Sequence, residues 1–134
     1  MFAMALFGYL LTDTALSGLI DDRLYPNVIP VGAEHPAIAY QLTDEEETET
    51  HQGPAGVYWE EYQFTAQDVT HEGVLAVEEA LCEALDAWNP ETSAGSDYRV
   101  TRCKRTSKMD GYNFSGETFT RRIKYEIQYK ERSA

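Results

Sequence analysis

The stretch from Val57 to Trp88 constrains the fold most, because a strand pattern is followed closely by a helix pattern. Residues 57–65 are rich in Val, Tyr, Trp and Phe, which is typical of a strand, and residues 66–69 supply a turn. Between residues 70 and 88 the apolar side chains recur every three or four positions, so a period of 3.6 gathers them onto one stripe. They are Val74, Val77, Leu81, Leu85 and Trp88. We expect this helix to cover a sheet that contains the strand.

Charge is distributed unevenly along the 134 residues, whose net charge is -12. Residues 1–97 contain one base, Arg23, against 19 acids, whereas residues 98–134 contain ten bases against four acids. Such a chain can pair its own halves or pair head to tail with copies of itself. The alternative is a solvated acidic surface that keeps the protein soluble. The acidic majority argues against generic nucleic-acid binding, which depends on cations that neutralise phosphates.

The N-terminal third predicts two short helices and one strand. The first helix covers Ala3 to Leu11, and Asp13 or Thr14 is the expected N-cap of the second. The second helix would pack through Ala15, Leu16, Leu19 and Ile20. An extended segment follows from Leu24 to Pro30, and Pro36 opens a strand over residues 37–42.

The run from Asp44 to Glu49 has five acids in six residues and is followed by Gly53, Pro54 and Gly56. This composition favours a loop or a mobile hairpin tip. A cation site is the alternative, although the run lacks the spaced oxygen donors and the central glycine of a calcium loop. A linker is predicted over residues 89–97.

Two strands are predicted after residue 97. The second, Glu117 to Tyr129, alternates and would span about 40 Å, so we expect a bulge or an end that projects from the domain. Its predicted inner face consists of Phe119, Ile123, Tyr125, Ile127 and Tyr129. An Asp110-Gly111 hairpin turn would set Tyr98 against Ile123, Val100 against Arg121, Arg102 against Phe119 and Arg99 against Arg122.

These elements predict an α+β fold in one domain, residues 1–134. Its antiparallel sheet of about four to five strands would be packed by one long helix and short N-terminal helices. In the predicted register Arg99 and Arg122 repel each other, so that face should meet acids. The candidate contacts between subunits or with partners are Glu60, Glu61, Glu79, Glu83, Arg99, Arg102, Arg121 and Arg122.

No motif in the sequence specifies an active site, and we expect no catalytic, cofactor-binding or metal-binding residues. The three histidines, His35, His51 and His71, lack ligand spacing, and no nucleophile elbow or phosphate loop is present. Cys82 and Cys103 are expected to be reduced and packed. The apolar start lacks a basic region and a cleavage site, so we expect an intracellular protein without a membrane segment.

The order of features resembles a known family. A short helix precedes LSGLIDDRLYPNVIP, followed by the proline-led HPAIAYQL, the aromatic GVYWEEYQFTAQD, the helix AVEEALCEALDAW and the terminal RRIKYEIQYK. This arrangement, over almost the whole chain, is similar to the tail-completion or tail-terminator (head-tail joining) proteins of long-tailed bacteriophages and gene-transfer particles. The long acidic loop and the strong charge polarity are not demanded by the family pattern.

The resemblance implies a structural protein that forms a homo-hexameric ring at the head-proximal end of the virion tail. Such a ring stops tail-tube polymerisation and joins the tail to the head, and it assembles in the host cytoplasm. The implied partners are further copies, the major tail-tube protein and the head-tail connector or stopper protein, while DNA passes through the bore without specific binding. The alternatives are a tail-tube or head-side connector subunit, or a small ligand-binding or enzymatic α+β domain that uses the histidines.

Overall fold

The computed structural model describes residues 2–30, 32–47, 57–86, 98–113 and 117–131. These ranges contain three helices and five strands. The helices are α1 (Phe2–Thr12), α2 (Thr14–Ile20) and α3 (His71–Asp86). The strands are β1 (Leu24–Pro26), β2 (Ala37–Glu47), β3 (Val57–Asp68), β4 (Tyr98–Asn113) and β5 (Thr118–Glu131). The predicted linker 89–97 and the end of the predicted helix at Trp88 lie outside them.

The five strands form one sheet in the order β1-β2-β3-β5-β4. The pairs β2–β3, β3–β5 and β5–β4 are antiparallel, which confirms the α+β class. The short pair β1–β2 is parallel, so the sheet is mixed rather than wholly antiparallel. Although β5 follows β4 along the chain, it separates β4 from β3.

All three helices contribute to the core on one face of the sheet, as the spacing of apolar residues in α3 predicts. Because successive residues of a strand point to opposite faces, only alternate positions of β3 and β5 face these helices. The largest fully buried side chains are Leu6, Leu10, Leu16, Ile20, Ile38, Tyr62, Phe64, Leu81, Leu85, Ile123, Tyr125 and Ile127. The predicted inner face of β5 is therefore confirmed from Ile123 onward, while Phe119 is half-buried.

The two N-terminal helices form as predicted, and Asp13 is the N-cap. Its Oδ2 accepts a hydrogen bond from the Leu16 backbone N–H at 2.9 Å, which satisfies an amide that the first turn leaves unpaired. Of the four residues expected to pack, Leu16 and Ile20 are buried, whereas Ala15 and Leu19 are exposed. A helix of seven residues can bury only a narrow stripe.

The acidic run is only partly the loop that the sequence predicts, because β2 continues through residues 44–47. Asp44 pairs with Glu61 and Glu47 pairs with Tyr58, after a register shift between Leu42 and Asp44. The ladder to β3 pairs the backbone groups of β2, and this outweighs the low strand preference of acidic residues. Residues 48 and 49 lie outside the described ranges.

The predicted hairpin turn at Asp110-Gly111 is wrong, because both residues lie within the β4 ladder. Asp110 pairs with Arg121 and Gly111 pairs with Thr120, so Tyr98 faces Glu131 and Arg99 faces Lys130. Asp-Gly is a strong local turn signal, but β5 pairs with β4 on both sides of this dipeptide, and the ladder outweighs the local preference. The bulge predicted for β5 occurs instead in β4, at Val100/Arg102 and Arg105/Ser107.

Candidate functional site

A charged cluster links α3 to the last two strands. The Glu78 side chain is only 7% exposed and pairs with Lys108 through Nζ and Oε1 at 2.6 Å. The Arg121 Nε donates a hydrogen bond to Glu78 Oε2, and its Nη1 donates one to Asp110 Oδ1. A buried carboxylate thus has two basic partners, which is the condition under which a charge can remain in a protein interior.

The electrostatics of this cluster keep Glu78 ionised. Burial alone raises the pKa of the carboxyl, but hydrogen bonds from Arg121 and Lys108 outweigh burial and hold its pKa below the ordinary value of 4.5. The pKa of the Arg121 guanidinium is raised, chiefly by its hydrogen bond with Glu78. The cluster therefore neutralises its own charge within one chain.

Four of the predicted contact residues lie on α3 or on the sheet face that the helices cover. They are Glu79, Glu83, Glu60 and Arg121. Arg121 pairs with Glu78 rather than with Glu79 or Glu83, because its position in β5 turns it toward the buried side of α3. Glu79 and Glu83 are exposed and have no ion pair with any side chain that the structure describes. Glu60 is buried and accepts hydrogen bonds from two tyrosine hydroxyls, those of Tyr62 and Tyr129.

The other four predicted residues lie on the opposite face or along an edge strand. Glu61 is half-buried, pairs with Glu126 in the ladder and accepts a hydrogen bond from Thr43 Oγ1 at 2.8 Å. Arg122 is exposed in β5, at a position between Thr65 and Met109. The backbone positions of Arg99 and Arg102 are opposite Lys130 and Gln128 in the edge strand β4. The structure does not bring the eight residues together into one site.

The two strands near the edges of the sheet have opposite charge. The last four residues of β2, Asp44–Glu47, are all acidic and β2 contains no base. In β4 there are five bases and one acid, Asp110. The bases are Arg99, Arg102, Lys104, Arg105 and Lys108. The structure describes the side chains of Lys104, Arg105 and Lys108, and of these three only Lys108 forms a salt bridge with a described acid.

Among the described residues, the histidines and cysteines that could carry chemistry contact neighbouring side chains. The rings of His71 and Phe119 lie 5.6 Å apart, and Nε2 of His35 lies 2.9 Å from Nε2 of Gln67. Both cysteines are free thiols, and burial raises the pKa of Cys103 to about 12. Among the described residues no group of three or more His, Cys, Asp or Glu is placed to hold a metal ion. No helix in the described ranges is long and apolar enough to cross a membrane. His51 lies outside them.

Sequence reasoning missed Glu78, although the sequence carries a signal for it. Glu78 lies four residues after Val74 and three before Leu81, so it falls within the apolar stripe of α3 and not on the acidic side. A lone acid inside an apolar stripe requires a basic partner on the surface that the helix covers. In β5 that partner is Arg121, which lies on the same face as Ile123.

No protein-family model matches this chain, and no curated protein matches it in sequence. Its fold, however, is that of solved structures. It is similar to a chain from the virion of a native gene transfer agent particle, with a TM-score of 0.60 and 14% identity over 97% of this chain and 93% of the other. A second solved chain, whose name states no function, gives a TM-score of 0.53 and 10% identity over 98% and 96%. At these identities the likeness establishes a shared fold.

Proposed function

We propose that this chain is a structural protein of a phage-type virion, with the role of a tail terminator. It would form a ring, with six copies as the expected number, at the head-proximal end of the tail. The ring ends polymerisation of the tail tube and provides the surface on which the head-side connector or stopper protein joins. The chain would be a non-enzymatic component of the virion, assembled in the host cytoplasm.

The single observation that carries the proposal is the likeness of fold to a gene transfer agent virion chain over nearly the full length of both chains. A match of this extent leaves little of either chain for a different architecture. The family resemblance of the sequence points in the same direction. Fold likeness alone supports many functions, so the proposed role also needs a feature of this chain that suits assembly.

Charge polarity is that feature. In a ring each copy uses one surface to contact the next copy and a different surface to contact the previous one. Opposite charges on two surfaces steer this contact and disfavour contacts between like surfaces. The acidic β2 and the basic β4 supply two such surfaces. The predominantly acidic chain also suits a bore through which DNA passes without binding, since acids repel phosphates.

Exposed members of the predicted contact set are the proposed contacts with other virion proteins. Glu79 and Glu83 on α3 and Arg122 on the opposite face of the sheet carry charges with no ion-pair partner among the described residues. We assign them to the tail-tube protein or the connector, whose surfaces meet the two ends of a ring. Glu60 and Arg121 are excluded from this role by their internal hydrogen bonds.

The test is assembly with the tail-tube protein of the same genome. Negative-stain electron microscopy should show tubes of restricted length with a closed ring at one end when this chain is present. The matched control is the tube protein alone, which should give longer tubes without a terminal ring. Long filaments formed by this chain alone would indicate a tube subunit instead. A strict monomer that leaves tube length unchanged would disprove the proposed role.

A further inference from the structure

Within the described residues the sheet ends in an open strand edge on each side. β1 pairs only with residues 38–40 of β2, so residues 41–47 have no strand beside them on that side within the described residues. β4 is the last strand at the other side and likewise has no described strand on its outer side. Each edge presents backbone N–H and C=O groups that another strand can pair with.

The two open edges have opposite charges at the same height in the sheet. Following the ladders across the strands, Asp44 pairs with Glu61, which pairs with Glu126, which pairs with Lys104. The row that begins at Glu46 passes through Trp59 and Gln128 and ends at Arg102 in the same way. A copy placed beside another without a shift along the strands would therefore set acids next to bases.

The strand directions also fit such a contact. β2 and β4 run in opposite directions, because three antiparallel pairings separate them. A neighbour with its strands pointing the same way would thus place its β2 antiparallel to β4 of the first copy. Antiparallel edges pair with good hydrogen-bond geometry, and this pairing would continue the sheet from one copy to the next.

Irregularities in both strands define the register. The register shifts of β4 lie between Val100 and Arg102 and between Arg105 and Ser107, which leaves the regular stretch 102–105. The shift in β2 lies between Leu42 and Asp44, which leaves the regular stretch 44–47. Bulges interrupt edge pairing, so only these short stretches can pair regularly. β1 prevents a shift toward residues 38–40.

We infer that copies of this chain join by antiparallel pairing of residues 44–46 in β2 of one copy with residues 102–104 in β4 of the next. The inference rests on the proposed function, and it names the surfaces that hold the ring together. The occupant of each edge is a second copy, because the complementary charges belong to the same chain at matching heights. In a ring every copy makes this contact on both sides, so no free edge is left.

A disulfide pair tests the contact directly. In the inferred register Glu46 of one copy lies beside Arg102 of the next, so Glu46→Cys/Arg102→Cys should cross-link copies into a ladder on non-reducing gels, with the tube protein present. Within one chain the two positions are three strand spacings apart, about 14 Å, which is too far for a disulfide. The control Glu46→Cys/Met109→Cys places the second cysteine about 23 Å along β4 and should give no ladder.

Charge reversal tests the same contact without cross-linking. Asp44→Lys/Glu46→Lys and Arg102→Glu/Lys104→Glu should each abolish association of copies, because every contact then joins like charges. A mixture of the two variants should associate again with alternating copies. The control Asp22→Lys/Glu72→Lys makes the same charge change at exposed positions outside the inferred contact and should leave association unchanged.

The outcomes separate this inference from the proposed function. Tubes capped by rings that form no ladder, or that survive charge reversal, would overturn the edge contact and leave the terminator role. A ladder with uncapped tubes would support the edge contact and contradict the terminator role. Equal ladders from the two cysteine pairs would overturn the inferred register, and the absence of both ladders and caps would overturn both proposals.

Discussion

The charged residues on the two faces of the sheet differ in whether they form ion pairs within the chain. On the helix face Glu78 is enclosed and paired with Lys108 and Arg121, so the charge belongs to the fold. On the opposite face Arg122 has no salt bridge with a described acid, and neither have the described edge-strand bases Lys104 and Arg105. Adjacent residues illustrate the difference, since Glu78 is buried and Glu79 is exposed. The charges of the buried cluster are thus neutralised within the chain, whereas the exposed charges are not part of that cluster.

The largest expected effect tests whether the helix face carries the stability. Leu81→Ala should lower the free energy of unfolding by about 3 kcal/mol, because Leu81 is fully buried and its loss leaves a cavity. Leu75→Ala is the matched control in the same helix, and since Leu75 is 37% exposed it should cost much less. Urea denaturation measures both values. Equal losses would contradict the assignment of the core to one side of α3.

The next effect separates two adjacent arginines. Arg121→Met should lower the free energy of unfolding by about 2 kcal/mol, because it leaves the buried Glu78 with Lys108 alone. Arg122→Met should change it by less than about 0.5 kcal/mol, since the side chain is exposed. Thermal and urea unfolding of both variants measure this difference. A larger loss for Arg122→Met would mean that the open face also contributes to stability.

A smaller effect on stability is expected when two glycines are replaced by alanine, and its sign should differ between them. The comparison tests how tightly the start of α3 packs. A Cβ at Gly73 would lie 1.8 Å from Asp68 Oδ2, so Gly73→Ala should destabilise by about 1 kcal/mol or more. A Cβ at Gly18 in α2 meets nothing within 4 Å, so Gly18→Ala should stabilise by about 0.5 kcal/mol through helix propensity. Melting temperatures give the two signs, and two stabilised variants would rule out the close approach at Asp68.

The smallest effect concerns pH. The folded-state pKa of Glu78 is below its ordinary value of 4.5, so its stabilisation is complete above that pH and is lost as the pH falls through the folded pKa. The free energy of unfolding should therefore differ between wild type and Glu78→Gln at neutral pH, and the two should converge as the pH falls below 4.5 and through the folded-state pKa. Glu79→Gln should follow the wild-type curve. A constant difference for Glu78→Gln would contradict the linkage.

The sequence predicts the α+β class and the helix elements well because their signals are local. The stripe in α3, the N-cap at Asp13 and the alternation in β5 each depend on residues within one element. Glu72, Glu79, Glu83 and Asp86 are exposed on α3, on the side away from the predicted apolar stripe. These predictions match the folded structure because tertiary packing buries the same faces that the local pattern defines.

The strand register could not be predicted in this way, because it depends on contacts between distant residues. Asp110-Gly111 has the composition of a turn, yet Asp110 forms an ion pair with Arg121. Gly111 has a different reason to be glycine, since a Cβ there would lie 2.6 Å from Thr120 Oγ1. The prediction of eight contact residues depends on the wrong register, and so it includes Glu60 and Arg121, which form hydrogen bonds within the chain.

The position of β5 between β3 and β4 determines the order in which the strands can pair during synthesis. On the ribosome β4 is synthesised before β5. Because β4 pairs only with β5 in the finished sheet and β3 pairs with β5 on that side, β4 has no native partner until β5 has been made. The helix face also stays open until Ile123, Tyr125 and Ile127 arrive. The basic edge strand therefore takes its place in the sheet only after β5 has paired with β3.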